Sequence, residues 1–129
     1  MILNISQHIY SALSADETVN GMVSGKIYPM GTKTENKYPF IAYDRDDAEP
    51  TYTKDGMAYV RSSVTIMAVG SSYRQALDLA NAIVHALDGV NADYEGFKVT
   101  RAIATGAGES FVQDAFVQEV NFRYTLISK

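Results

Sequence analysis

Between Ser72 and Gly89 the chain specifies an amphipathic helix, and the segments on both sides of it alternate with the period of strands. No other feature constrains the fold as strongly. Ser72 and Gln75 have the spacing of a capping box, and Gly89 stands just past the last periodic residue, where a left-handed residue ends a helix. Ala76, Leu77, Ala80, Ile83, Val84 and Leu87 define its apolar face, and Arg74, Asp78, Asn81, His85 and Asp88 its wet face. A helix of this kind needs a sheet to lie on.

The flanking segments supply one. From Met57 onward Val60, Val64, Ile66 and Ala68 alternate with Arg61, Ser63 and Thr65, and only Ser62 interrupts the apolar side. Lys54-Asp55-Gly56 before this run is a hairpin turn signal. After a polar link from Asn91 to Gly96, Phe97, Val99 and Ile103 alternate with Lys98 and Thr100. A glycine-rich connection from Gly106 to Asp114 leads to a long last strand with Phe116, Val120, Phe122, Tyr124 and Leu126 on one side. Upstream, Asn4 with Gln7 and the spacing of Ile2, Ile5, Ile9 and Leu13 predict a first helix. Ser14 with Glu17 predicts a short second one, ended by Gly25. Ile27 and Tyr28 are briefly extended, Gly31 to Lys37 reads as a surface loop, and Phe40 to Tyr43 follows Tyr38-Pro39 as a buried strand. The order gives a single α+β domain over residues 1–129, a mainly antiparallel sheet with helices packed on one face rather than a βαβ nucleotide fold.

Composition narrows the functions open to such a domain. With 47% hydrophobic and 20% charged residues the chain has the balance of a globular protein. Its net charge of −4, with no run of Lys or Arg, leaves no footprint for specific nucleic-acid binding or for an anionic membrane. No apolar stretch approaches the roughly 20 residues that span a bilayer, and no signal segment opens the chain. The absence of cysteine excludes disulfides, thiolate nucleophiles and Cys-based zinc sites.

Candidate chemistry is sparse. Asp44, Asp46, Asp47 and Glu49 form the one carboxylate cluster, but their spacing does not fit a calcium loop and Pro50 interrupts them, so they read as a solvated acidic loop. His8 and His85 lie on separate predicted helices without nucleophile spacing and read as surface or boundary residues. Gly106-Ala107-Gly108 lacks the third glycine of a dinucleotide fingerprint and precedes a strand, not a helix. No catalytic residue, cofactor or metal is expected. What remains is apolar content at two hairpin tips: Tyr52, Met57 and Tyr59 around the Asp-Gly turn, and Phe111 with Val112 in the glycine-rich connection. These are the candidate protein-interface residues. A dimeric regulatory or small-ligand-binding α+β module, with a pocket between sheet and helix, is the alternative.

Taken together, four features form a recognisable order: Ile27-Tyr28-Pro29, Tyr38-Pro39-Phe40-Ile41-Ala42-Tyr43, the alternating strand to Ala68, and Ser72-Tyr73-Arg74-Gln75-Ala76 opening a Leu/Ala helix. That order resembles the tail-completion, or tail-terminator, proteins of long-tailed bacteriophages and prophages. The resemblance implies a structural subunit in the virion tail, assembled in the bacterial host cytoplasm as a homo-oligomeric ring, typically a hexamer. Its partners would be the tail-tube protein and the head connector. DNA would pass through the ring without specific binding, and no enzyme activity or cofactor is implied.

Overall fold

The computed structural model describes residues 1–29 and 37–129. In chain order these form α1 (Ile5–Ala15), α2 (Glu17–Val23), β1 (Ile27–Pro29), β2 (Phe40–Thr53), β3 (Gly56–Gly70), α3 (Tyr73–Leu87), β4 (Ala92–Tyr94), β5 (Phe97–Val112) and β6 (Ala115–Ser128). The strands make one sheet in the order β1-β2-β3-β6-β5-β4. The α+β character is as the sequence implies, but the sheet is mixed, because β1 joins β2 in parallel while the other pairings are antiparallel. The loop expected from Gly31 onward lies outside the described residues as far as residue 36.

The core follows the strand alternation. Val60, Ser62, Val64, Ile66 and Ala68 of β3 and Val120, Phe122, Tyr124 and Leu126 of β6 are buried, as are Ile5, Ile9 and Leu13 of α1 and Leu79, Ile83 and Leu87 of α3. Ser62 sits in this apolar face without cost because its hydroxyl donates to the Asp47 carbonyl at 2.9 Å. That carbonyl is free to accept because β2 bulges between Arg45 and Asp47.

Helix ends show which local signals the chain uses. At α3 the Ser72 hydroxyl accepts from the Gln75 N–H at 3.1 Å, and Gln75 Oε1 reaches back to the Ser71 N–H at 2.7 Å, one residue earlier than a capping box requires. Gly89 takes φ +73 just beyond the helix. At α1, Asn4 occupies the cap position but makes no side-chain bond; its carbonyl alone accepts from the Gln7 N–H. The second helix starts from Asp16, not from Ser14: the Asp16 carboxylate accepts from the Val19 N–H at 3.0 Å, while the Ser14 hydroxyl turns back onto the Ser11 carbonyl within α1. The carboxylate satisfies an orphan donor and favours the positive end of α2, a stronger cap than a hydroxyl offers.

Several segments differ from the sequence reading. The polar stretch from Asp44 is no loop but the outer part of β2, and the link from Asn91 contains the short strand β4. The glycine-rich connection is also strand: β5 runs on to Val112, and only Gln113 and Asp114, with φ of 51° and 64°, form the turn. That double left-handed geometry matches the right-handed twist of a tight hairpin. In α3 the buried face is turned toward Leu79, while Leu77 and Val84 are only half-buried on its flank.

One glycine is fixed by packing. A Cβ on Gly70 would stand 2.9 Å from the Ala76 backbone nitrogen and 3.1 Å from Gln75 Oε1. The end of β3 thus passes against the first turn of α3 with no room for a side chain. Gly70→Ala should destabilise the fold by about 1–3 kcal/mol, an overpacking cost read as a lowered urea midpoint. Gly21→Ala, at a helical position with open space around it, should be neutral or slightly stabilising.

Candidate interaction site

The two candidate tips lie at opposite ends of the sheet. Tyr59 pairs with Ile127 and Gly70 with Phe116, so β3 rises about 35 Å from one end to the other at ~3.3 Å per residue. At the first end Tyr52 is exposed, and Tyr59 lies on the outer sheet face beneath the Arg61 guanidinium, 5.4 Å from the ring centre. Met57 is half-buried against the core and lines a shallow depression with Met1, Ile2 and Leu3. At the second end Phe111 and Val112 are 60% and 53% exposed at the close of β5. Phe111 tilts onto Phe116 at 4.8 Å and Phe116 meets Tyr73 of α3 edge-on at 6.3 Å, which ties this tip to the start of the helix.

Among the described residues both long edges of the sheet are partly open. β4 covers β5 only over Phe97–Val99, and β1 covers β2 only over Ile41–Tyr43. The open part of β2 carries Asp44, Asp46, Asp47, Glu49, Pro50 and two bulges, the devices that keep an edge from pairing with another chain. β5 beyond Ala102 is all exposed, and Glu109 is its only charge. Beside it, Leu77 and Val84 of α3 face Ala104, Gly106 and Ala107 across an open groove. The half-buried flank of α3 therefore borders the less defended edge.

The acids of β2 are partly engaged within the sheet. Asp47 Oδ1 accepts from the Ser63 N–H at 3.1 Å and Asp46 Oδ2 from the Thr65 hydroxyl at 2.7 Å. Among the described residues no group of three or more His, Asp or Glu is placed to hold a metal, and no helix is long and apolar enough to cross a membrane.

His8 departs most from its expected position. It is fully buried in α1, its Nδ1 2.7 Å from the Tyr94 hydroxyl and its ring edge-on to Tyr124 at 5.3 Å. Neither His8 Nε2 nor the Tyr124 hydroxyl has a hydrogen-bond partner among the described residues. Burial lowers the His8 pKa from 6.5 to about 4 and pushes Tyr124 up. With no nucleophile or open cleft beside it, this pair belongs to the core. The spacing of Ile5, His8 and Ile9 already put His8 on the apolar face of α1.

The arrangement thus offers edges, tips and a flanking groove for protein contact. A chain from the virion of a native gene transfer agent particle has the same fold: TM-score 0.78, 17% identity, 94% of this chain and 92% of that chain covered. A second solved structure aligns with TM-score 0.64 at 12% identity over 95% of this chain and 96% of that one. No curated protein sequence gives a significant match. The sequence profile of the family described as "Tail completion protein gp17" matches residues 7–127, and the chain belongs to that family.

Proposed function

We propose that this protein completes the tail of a phage or phage-like particle: it caps the tail tube as a homo-oligomeric ring, a hexamer by the family resemblance, and joins the tube to the head connector. The match of the tail-completion family over residues 7–127 carries this reading, and the fold shared with a gene transfer agent virion chain supports it. The role is structural, with no enzymatic step and no cofactor. The chain would assemble in the bacterial host cytoplasm and end in the virion tail, with DNA passing through the ring unbound.

Within that role Tyr52, Met57 and Tyr59 at one end and Phe111 with Val112 at the other serve as contact residues. Their opposite positions suit a subunit that must meet neighbours on two sides. Tyr59→Ser and Phe111→Ser should leave the circular dichroism spectrum and urea midpoint close to wild type, since neither side chain belongs to the buried core. The same substitutions should abolish ring formation or tail joining, scored by negative-stain microscopy. Unaltered assembly would remove these residues from the interface. Sedimentation velocity of the wild-type chain should show a ring-sized species whose share grows with concentration.

A further inference from the structure

Two arginines, Arg61 and Arg101, line one cleft at the end of the sheet opposite the β5–β6 tip. In the β5–β6 pairing Thr100 faces Thr125 and Ile103 faces Arg123, so the register slips over Arg101 and Ala102. Ala102 turns into the core, and Arg101 adopts φ +51, a left-handed backbone that residues with side chains seldom take. Such a bulge re-aims a side chain. Thr100 and Arg101, consecutive in sequence, line the same cleft, beside Arg61 and Thr125. That cleft measures about 220 Å³ and is bordered by Tyr59 and Ile127. Arg61 is held over the Tyr59 ring, and neither arginine has an ion pair among the described residues; Glu49, across from Arg61 in the β2–β3 register, does not form one. Two guanidiniums that form no ion pair among the described residues, beside an apolar rim, have the chemistry to bind a carboxylate flanked by apolar groups.

The chain carries a matching ligand at its other end. Asp114, in the left-handed turn of the β5–β6 hairpin, is exposed and makes no hydrogen bond or ion pair among the described residues, and it follows the exposed Phe111 and Val112. Glu109, the nearby acid, is taken by Gln118 at 3.0 Å. The length of β3 separates tip from cleft, so the two cannot meet within one molecule.

We infer that the Arg61–Arg101 cleft receives the Asp114 tip of a second copy of this chain, with Phe111 or Val112 of the tip against Tyr59 and Ile127. This occupant rests on the proposed ring. Because tip and cleft are different surfaces, the contact is heterologous, and it propagates from copy to copy until a rotation closes it. DNA is the less suitable occupant. Glu49 lies across from Arg61 in the β2–β3 register and the chain carries a net charge of −4, both unfavourable to a run of phosphates.

The cysteine-free sequence makes the contact directly testable. A Thr100→Cys/Gln113→Cys chain keeps both arginines and Asp114, and under mild oxidation it should give a ladder of disulfide-linked oligomers. Adding Arg61→Glu and Arg101→Glu should reduce the ladder at least tenfold, and a ladder that persists overturns the inference. As a second measurement, Arg101→Glu chains and Asp114→Arg chains should each fail to self-associate yet associate when mixed, since the reversed charges again match. A mixture as inert as its components overturns it, as does a gel shift of a 20-base-pair duplex that Arg101→Glu abolishes in a chain giving no ladder. Wild-type rings without a ladder would remove this contact and leave the ring reading standing. A wild-type chain that completes no tails removes that reading whatever the ladder shows.

Discussion

Acidification should destabilise this protein through His8. A histidine whose pKa falls from 6.5 in the unfolded chain to about 4 in the folded one binds its proton more readily when unfolded. Its contribution to stability is therefore whole above pH 6.5 and is lost progressively as the pH drops toward 4. At 1.36 kcal/mol per pKa unit the loss amounts to as much as about 3 kcal/mol, a large fraction of the stability of a domain this size. The physical reason is local: His8 is buried beside Tyr94 and Tyr124, and its Nε2 has no acceptor among the described residues for the second proton of an imidazolium. Carboxylates elsewhere titrate in the same range, so the comparison that isolates His8 is with His8→Leu. That variant loses the bond to the Tyr94 hydroxyl, at a cost of about 1–2 kcal/mol near neutrality, but its urea midpoint should fall less steeply between pH 6.5 and 4. Parallel pH profiles for the two proteins would contradict this account.

The second large effect reverses the sequence reading of two leucines, which placed Leu77 on the apolar face of α3 and left Leu79 out. Leu79 is fully buried between α3 and the sheet, so Leu79→Ala should cost about 2–5 kcal/mol, the sum of lost transfer energy and a cavity that the strands cannot collapse to fill. Leu77→Ala, on the half-buried flank beside the open groove, should cost less than half as much. Urea titrations with unchanged slopes measure both. Equal losses at the two positions would mean that α3 is rotated from the orientation described.

That contrast also shows where sequence reading reaches its limit. The limits of α3 were legible because capping is local: Ser72 and Gly89 act within a turn of the helix. Which flank of α3 is covered depends on β5, many residues away, whose open edge leaves Leu77 and Val84 unroofed. The strands β3 and β6 were legible because their buried faces keep strict alternation. β2 was read too short because it runs past the cover of β1, turns polar at a free edge and slips register at Arg45, so its alternation fails beyond Tyr43. The end of β5 was hidden by Gly106 and Gly108, whose low strand propensity is overridden by pairing with Glu119 and Asn121 of β6. The exposed tips at Tyr52 and Phe111 could be found from apolar residues outside periodic runs. The Arg61–Arg101 cleft could not, because a left-handed bulge at an arginine leaves no mark in composition or spacing. His8 could have been found, since its place on the apolar face of α1 was visible, but a titratable side chain invites a surface reading.

The central claim, that this chain completes tails, is tested most directly by particles assembled in its absence. Negative-stain microscopy should show filled heads and detached tails, and purified chain added to that mixture should restore joined particles. Joined, normal-length particles formed without the chain would contradict the claim.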